Sequence, residues 1–307
     1  MDIDGEVVEG LPEVRKSKFM GFVNIMYGCD NFCTYCIVPH VRGRERSRTP
    51  EAVIEECVRL QDQGAQEIML LGQNVNSYRG GAEFAELLYR IDRLGIPRIR
   101  FMTSHPKDLS DELIQAFGEL KHLMPQLHLP VQAGSDEVLR RMNRRYTRAH
   151  YLELVRKLRG VCPDIGLTSD LIVGFPGETL EQFEETMRLV REVRFDAAYT
   201  FIFSPRKGTR AAEFPDETPE AVKSERIQRL IDLQQAIALE VLKQQVGRFE
   251  TVLVESVSTR DSGSVGGKTP RGHMVNFPGD SRLIGQFVDV EITSAGRNTL
   301  RGRRIGG

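Results

Sequence analysis

The chain has 307 residues, of which 40% are hydrophobic and 28% charged, and its formal net charge is −1. These proportions are typical of a folded protein and exclude a largely disordered chain. The length is sufficient for about two domains. A net charge near zero gives no information about a polyanionic partner. Only the distribution of charged residues along the chain can indicate one. No apolar run approaches the ~18 residues of a membrane span. The acidic first six residues lack the pattern of a secretory signal.

Between residues 19 and 203, short β-rich runs alternate with amphipathic helical patterns. We predict strands at 19–27, 67–71, 98–102, 126–129, 166–173 and 197–203. We predict helices at 50–63, 81–94, 110–121, 135–159 and 179–193. Strands that alternate with helices form parallel units with right-handed crossovers. This α/β pattern fits an open doubly wound sheet or a six-stranded partial barrel, and in both the functional groups gather at the carboxyl ends of the strands.

The character of the chain changes after residue 203. A long helix is predicted over 217–246, and it is followed by β-rich runs at 249–257, 272–277, 287–293 and 299–303. We therefore expect an N-terminal segment at 1–18, an α/β domain at 19–246 and a small all-β domain at 247–307. Residues 248–307 contain nine Lys and Arg against six Asp and Glu, so this domain carries a modest positive charge.

Three cysteines stand close together directly after the first predicted strand. Cys29, Cys33 and Cys36 have the spacing Cys-x3-Cys-x2-Cys. Three thiolates in one loop suit a cubic iron–sulfur cluster with one iron left open. A zinc site is the alternative, with His40 as the fourth ligand. The chain has five cysteines, an odd number, which argues against a secreted disulfide scaffold and favours the reducing cytoplasm.

The cysteine triplet, read as Cys-x3-Cys-x-aromatic-Cys, resembles the signature of the radical S-adenosylmethionine (SAM) enzymes. Longer strings resemble the methylthiotransferase branch, and in it the tRNA 2-methylthio-dimethylallyladenosine synthases. These strings are 28–48, 71–78, 129–135, 142–146 and 172–179. The C-terminal module resembles a TRAM domain, a small β-barrel that binds RNA. The resemblance implies a partial (β/α)6 barrel followed by a TRAM barrel.

The resemblance also implies a reaction. One [4Fe-4S] cluster on Cys29, Cys33 and Cys36 binds SAM through its open iron and cleaves it by one-electron reduction. The 5′-deoxyadenosyl radical then takes hydrogen from C2 of an isopentenylated adenosine next to the tRNA anticodon. The implied partners are tRNA and a reducing electron donor of the flavodoxin or ferredoxin type. We expect a monomer in the cytoplasm, not bound to a membrane.

Residues at the predicted strand ends are candidates for binding SAM. By resemblance, Tyr35 lies beside the adenine, and Gly72 and Gln73 meet the methionine moiety. Ser135 is a ligand of SAM or only a helix cap, and Asp170 binds a ligand hydroxyl or forms a structural ion pair. The remaining candidates are Gln132, Gly174 and Arg144, the last for the SAM carboxylate or an RNA phosphate.

Alternate residues after the cysteine loop are arginines. In an extended segment they share one face, which predicts a row of phosphate contacts. These residues are Arg42, Arg44, Arg46 and Arg48. Arg271 and Arg301 are the RNA-binding candidates of the β domain.

Methylthiotransferases that resemble this chain hold a second, auxiliary [4Fe-4S] cluster on three further cysteines of an N-terminal domain. Here only Cys57 and Cys162 remain, so this chain does not ligate that cluster. We expect this chain alone to cleave SAM without completing sulfur insertion. The alternatives are a methylthiotransferase of a ribosomal-protein aspartate or of threonylcarbamoyl-adenosine in tRNA, a non-catalytic RNA-binding protein with a structural cluster, and a zinc protein.

Overall fold

The computed structural model describes residues 17–258, 261 and 263–306. The first sixteen residues of the predicted N-terminal segment lie outside this range. The α-helices of the described chain are α1 (Val38–Arg42), α2 (Pro50–Asp62), α3 (Phe84–Asp92), α4 (Asp111–Glu119), α5 (Asp136–Arg141), α6 (Arg148–Val161), α7 (Leu180–Val193) and α8 (Glu220–Lys243). No helix among these residues is both long and apolar enough to cross a bilayer.

The first part of the chain supplies short strands, most of them followed by a helix. They are β1 (Met20–Asn24), β2 (Met26–Tyr27), β3 (Arg46–Ser47), β4 (Glu67–Leu71), β5 (Arg98–Phe101), β6 (Gln126–His128), β7 (Gly166–Val173) and β8 (Ala197–Ile202). Five strands follow α8. They are β9 (Phe249–Val257), β10 (Ser264–Lys268), β11 (Met274–Pro278), β12 (Phe287–Ala295) and β13 (Leu300–Arg304).

Helix starts follow the capping residues in the sequence. The side chains of Thr49, Ser110 and Thr179 each accept a hydrogen bond from the first turn of α2, α4 and α7, which satisfies an otherwise orphaned backbone N–H. The predicted helix 135–159 is wrong as one element. It is interrupted at Asn143, which has φ +58°, and Thr147 caps the new helix α6.

Six parallel strands form a curved sheet in chain order. β1, β4 and β5 pair in parallel, and so do β6, β7 and β8. The two groups meet where the backbone of Ile99 in β5 bonds residues 122 and 124, just before β6. The strand order does not reverse, whereas a doubly wound sheet requires a reversal. The partial (β/α)6 barrel is therefore confirmed, and its main apolar core lies between the strands and the surrounding helices.

The C-terminal strands form a closed five-stranded barrel. Its order is β10-β11-β13-β12-β9, and its core of valines and other apolar residues also includes Leu242 at the end of α8. Strand β10 was not predicted from the sequence. It contains Gly266 and Gly267, and a Cβ on Gly267 would lie 2.1 Å from the carbonyl oxygen of Leu253. These glycines let neighbouring backbones approach closely, but they hide the strand from a hydropathy pattern.

The small barrel packs against the amino ends of the large barrel's strands. Arg98, the first residue of β5, donates hydrogen bonds to the carbonyl oxygens of Lys268 at 2.8 Å and Thr251 at 2.5 Å. Arg100 donates to Thr269 O at 2.9 Å. Because functional groups gather at the carboxyl ends of such strands, this packing leaves that end of the large barrel open.

Candidate active site

A two-stranded ribbon of β2 and β3 closes the base of the cysteine loop. Gly28, the residue after β2, has φ +75°, and an added Cβ would lie 2.0 Å from the carbonyl oxygen of Arg44. Only glycine fits this position, because a side chain meets both an unfavourable backbone conformation and the opposite side of the loop. The amide of Cys29 donates to Gly43 O at 3.2 Å. The loop is therefore closed onto itself before the first cysteine.

The residues that follow β4 contact the base of the same loop. Gln73 accepts a hydrogen bond on its side-chain oxygen from the amide of Gly28 at 2.6 Å. Gly72 packs against β2, and a Cβ there would lie 2.5 Å from the Met26 side chain. Gln73 thus positions the loop, which is a use of its side chain that the sequence did not predict.

The segment after α5 holds the other side of the loop. The amide of Thr34 donates to Met142 O at 3.0 Å, and Ala211 N donates to Thr34 O at 2.8 Å. Asn143 donates from its side chain to Phe32 O at 2.9 Å. Because contacts arrive from α5, β4 and the segment after β8, the three cysteines lie at the carboxyl ends of the barrel strands.

The cysteine thiols are partly or fully buried, and none forms a disulfide. Burial raises the pKa of Cys29 to about 11, and it also raises the pKa of Cys36. These two thiols are protonated at neutral pH, so binding a metal centre must displace their protons.

The donor set fits a cluster better than a single ion. Within the described residues, no three Cys, His, Asp or Glu side chains gather closely enough to hold one metal ion. A zinc ion needs every sulfur ligand about 2.3 Å from one point. A four-iron cluster binds each thiolate to a different iron, so more widely spaced cysteines suffice. His40, the proposed fourth zinc ligand, is exposed on α1.

Comparison with known families agrees with this geometry. Residues 23–190 match the Radical SAM superfamily, and residues 243–305 match the TRAM domain. A tRNA-2-methylthio-N(6)-dimethylallyladenosine synthase of Clostridium botulinum (strain Langeland / NCTC 10281 / Type F) is 50% identical over 307 residues, which cover 98% of this chain and 68% of the relative. The chain belongs to the radical SAM superfamily, in the family of these synthases.

Two further relatives of this radical SAM chain carry the same name. The protein of Thermoanaerobacter sp. (strain X514) is 53% identical over 97% of this chain and 64% of its own length. The protein of Geobacillus kaustophilus (strain HTA426) is 52% identical over 98% and 58%. The chain therefore spans about 60% of the length of these curated relatives.

Solved structures share the radical SAM fold at low sequence identity. Coproporphyrinogen III oxidase (HemN) from Escherichia coli superposes with a TM-score of 0.55 at 14% identity, covering 95% of this chain and 72% of that one. The methyltransferase TsrM from Kitasatospora setae, with cobalamin and a [4Fe-4S] cluster bound, gives 0.54 at 16% identity, covering 76% and 42%. These likenesses concern the fold alone.

Two of the predicted SAM-binding residues in this radical SAM domain lie in the core around the cysteine loop. Tyr35 packs against the main core, and burial raises its pKa well above its usual value. Arg144 is 6% exposed, and its Nη1 lies 3.5 Å from Cys33 Sγ. The structure therefore brings Tyr35, Gln73 and Arg144 together around the cysteines.

Three other candidates lie along β6 and β7. Gln132 is buried with φ +73°, and its backbone extends the pairing of β6 with β7. The carboxylate of Asp170 lies 3.5 Å from His128 Nε2, a contact that is an ion pair only when the imidazole is protonated. Gly174 has φ +67°, and its amide donates to the buried Glu178 carboxylate at 2.9 Å.

Ser135 is the residue directly before α5. It occupies the N-cap position that the cap interpretation gave it, but its side chain makes no capping hydrogen bond. Together with Thr179 and Gln182 it lines a cavity of about 600 Å³ between α5 and α7.

Aromatic side chains that the sequence analysis did not select face the interior of the partial barrel. Tyr199 of β8 lies opposite Asp170 in the parallel register and is 58% exposed. Its ring makes an edge contact with His128, with centroids 6.1 Å apart. Phe201, two residues further on the same face, is also exposed. Their only signal in the sequence is the alternation within β8, where alternate residues point to one face.

Buried polar atoms without a partner among the described residues mark the ends of β4 and β5. They are Asn74 Oδ1, Ser104 Oγ and His105 Nε2. Buried polar atoms are normally hydrogen-bonded, so these three indicate room for a polar ligand or water. His105 Nδ1 accepts from the amide of Lys107 at 3.2 Å, so the proton lies on Nε2. Burial lowers the pKa of His105 to about 2, and the ring is therefore neutral.

The four alternating arginines do not share one extended face, so that prediction is wrong. Arg42 ends helix α1, and only Arg46 lies in a strand, β3. Arg42 and Arg44 are exposed, and Arg46 is half-buried. Arg48 is buried, and it donates to Glu56 at 2.6 Å and to Asn24 O at 2.8 Å. Its guanidinium stabilises the barrel and does not reach the surface.

The two arginines of the β domain have different surroundings. Arg271 is bound to Asp196 of the large barrel at 2.6 Å and is largely buried between the domains. Arg301 is exposed and lines a groove of about 1030 Å³ on the small barrel, together with Asn276, Arg297 and Thr299.

Proposed function

We propose that this chain forms the SAM-cleaving part of a tRNA methylthiotransferase. Its substrate is the isopentenylated adenosine next to the anticodon, modified at C2. The observation that carries this proposal is the loop of Cys29, Cys33 and Cys36, which is anchored at the open end of a radical SAM barrel by Gln73. The names of the curated relatives support the choice of adenosine over a ribosomal-protein aspartate or threonylcarbamoyl-adenosine.

Cys29, Cys33 and Cys36 hold the [4Fe-4S] cluster in this proposal. When bound, the reduced cluster supplies the electron that cleaves the sulfonium bond of SAM and so generates the 5′-deoxyadenosyl radical. The chain's own residues hold the loop, exclude water and orient the two substrates. Tyr35 contributes to the buried wall beside the cysteines, and Gly72 keeps the end of β4 close to the loop.

The interior of the barrel is the proposed place of the target base. Asp170 lies on β7 at one side of it, and Gln132 and Gly174 follow the ends of β6 and β7. The unpartnered atoms of Asn74 and Ser104 offer hydrogen bonds at the ends of β4 and β5. Exposed Tyr199 provides an aromatic face, which suits a flipped-out nucleotide.

RNA contact is proposed at two surfaces. At the cysteine loop, Phe32 is 41% exposed, and Arg44 lies 5.3 Å from its ring centroid. An arginine beside an exposed aromatic ring suits a single-stranded base and its phosphate. Arg42 lies in the same exposed segment. On the small barrel, the groove that contains Arg301 is the second surface.

The remaining features of the proposal concern the molecule as a whole. We propose domain limits at 19–246 and 247–307, and a monomer that works in the cytoplasm with a flavodoxin or ferredoxin as electron donor. Five free thiols suit a reducing compartment. An auxiliary cluster needs ligands beyond these residues, because only Cys57 and Cys162 are left over.

The proposed substrate is tested with tRNA labelled with deuterium at C2 of the adenosine next to the anticodon. The chain is reconstituted with iron and sulfide without oxygen and then given SAM, dithionite and the tRNA. We expect deuterium in the released 5′-deoxyadenosine when the base carries the dimethylallyl group, and much less when it does not. Equal transfer from both RNAs, or transfer from neither, contradicts the proposed substrate.

Metal analysis separates the enzyme from the other functions. We expect about four irons per chain and a brown protein. Zinc in a colourless protein contradicts the proposal, and so does a bound cluster that yields no 5′-deoxyadenosine under reduction, as in a passive RNA-binding protein.

A further inference from the structure

Arg144 is a buried cation held on all sides by the chain itself. Its Nη2 donates to Pro130 O at 2.7 Å, and its Nε donates to the hydroxyl of Tyr146 at 2.8 Å. Tyr146 in turn donates to Val131 O at 2.9 Å, so both residues are fixed to the segment that follows β6. The position of the guanidinium is therefore set by the barrel.

The third side of this guanidinium faces a cysteine. Nη1 lies 3.5 Å from Cys33 Sγ, within hydrogen-bond distance for sulfur. Other buried arginines have a carboxylate partner, which is Glu67 for Arg98 and Arg100 and Glu178 for Arg226. Among the described residues no carboxylate forms such a pair with Arg144, and a buried charge is costly when it is unpaired. With a cluster bound, Cys33 would be a thiolate ligand, and its sulfur is the group that faces this side of the guanidinium.

The burial of Arg144 also bears on its two roles predicted from the sequence, which are binding the SAM carboxylate and binding an RNA phosphate. At 6% exposure, Arg144 offers little surface to an RNA phosphate. Each of its three nitrogens already donates one hydrogen bond within the chain, to Tyr146, Cys33 and Pro130, so three of its five donors are engaged without a ligand.

We propose that Arg144 is a positioning residue that sets the reduction potential through Cys33. An electron added to an iron–sulfur cluster increases the negative charge on the cluster and its thiolates. A fixed cation at hydrogen-bond distance from one thiolate stabilises the reduced form more than the oxidised form. Arg144 thus makes the midpoint potential more positive and eases the reduction that precedes SAM cleavage. The inference rests on the proposed function, because it requires a cluster on Cys33.

The test compares variants of the full chain after reconstitution without oxygen. R144M removes the charge at similar length, R144K keeps a charge without the fork of donors, and Y146F removes the hydroxyl that holds Nε. Arg145, the exposed neighbour, provides the matched control R145M. The readouts are iron and sulfide content, the midpoint potential from a titration followed by electron paramagnetic resonance, and the affinity for SAM.

We expect R144M to bind iron but to show a more negative midpoint potential and slower release of 5′-deoxyadenosine. R144K and Y146F are expected to shift the potential in the same direction by less, and R145M not at all. The comparison of R144K and Y146F still tests the inference if R144M does not fold.

An unchanged potential in R144M, or in both R144K and Y146F where R144M does not fold, contradicts the inference. Weaker SAM binding at an unchanged potential also contradicts it and makes Arg144 a direct SAM ligand. Failure of the proposed function looks different, because the unaltered chain then binds no cluster or releases no 5′-deoxyadenosine.

Discussion

Asp196 is the residue whose charge most directly joins the two barrels. It precedes β8 in the large barrel, and its carboxylate accepts from Arg271 at 2.6 Å and lies 2.8 Å from His273 Nε2. Its side chain is 5% exposed, so the desolvation of these charges is offset only while the hydrogen bonds hold. Burial alone raises the pKa of Asp196, but the bonds from His273 and Arg271 outweigh it and lower the pKa below its usual value.

We predict that D196N lowers the free energy of unfolding by about 3 kcal/mol at pH 7, because it leaves the buried Arg271 with only the exposed Asp164, 3.9 Å away, as a counter-charge. The folded-state pKa of Asp196 is lowered, so its stabilisation is present above the unfolded-state pKa of about 3.9 and is lost as pH falls through the folded-state pKa. The difference between D196N and the unaltered chain therefore shrinks below about pH 4. Urea unfolding at several pH values measures this.

A matched control lies at the same seam between the barrels. Asp164 pairs with Arg248 at 3.1 Å and lies 3.9 Å from Arg271, but its side chain is 68% exposed. D164N should change the stability by less than about 1 kcal/mol. A D196N variant as stable as D164N at pH 7 would show that the buried carboxylate does not hold the domains together.

The cysteine loop is the element on which the site depends. Its closure relies on Gly28, where φ is +75° and the opposite backbone leaves no space for a Cβ. We predict that G28A folds but loses most of the iron bound on reconstitution, because the loop must move away from Arg44 O. Iron analysis and visible absorbance measure this loss.

The control for this prediction is Gly64, which has φ +89° with no heavy atom within 4 Å of an added Cβ. G64A carries the same backbone penalty of about 1 to 2 kcal/mol, without the overlap. It should therefore bind iron as the unaltered chain does. Equal iron content in G28A and G64A contradicts the role given to the closed loop.

Strong local patterns made most of these elements predictable. β4 and β7 were predicted at the residues where they are found, because buried runs of branched residues end at turn signals. β10 was missed because close approach of backbones requires its glycines. The break between α5 and α6 was missed because it depends on the left-handed conformation of Asn143, which also holds the cysteine loop.

The site residues were predictable only where the spacing of residues in the sequence itself indicates their chemistry. The three cysteines stand within one loop, so the sequence was sufficient to select them. The predicted roles of Gln73 and Arg144 concerned a ligand, whereas their contacts are with the loop itself. Such contacts join residues distant in sequence, up to 111 positions for Arg144 and Cys33, and no local pattern reports them.

On the scale of the whole molecule, the small barrel closes the end of the large barrel opposite the cysteines. Arg98 is the main bridge, because it donates to two carbonyl oxygens of the small barrel and lies 5.0 Å from the Phe287 ring centroid. Burial lowers the pKa of Arg98 to about 10, which still leaves it charged at neutral pH.

We predict that R98M uncouples the two barrels, because it removes the buried guanidinium that donates to two carbonyl oxygens of the small barrel, at a cost of about 3 kcal/mol. In calorimetry, the unaltered chain should unfold in one transition and R98M in two. R248M, which removes an exposed contact between the same barrels, serves as the control and should keep one transition. A single transition in R98M contradicts the bridging role.

The account depends on one claim, that three cysteines at the open end of the barrel support reductive cleavage of SAM. The most direct measurement is the amount of 5′-deoxyadenosine that the reconstituted chain releases from SAM under dithionite, compared for C33A and C162A. Cys162 lies at the end of α6 and is half-buried, so it provides a matched loss of one thiol. We expect release from the unaltered chain and from C162A, and none above background from C33A. Equal release from C33A and C162A, or none from the unaltered chain, contradicts the claim.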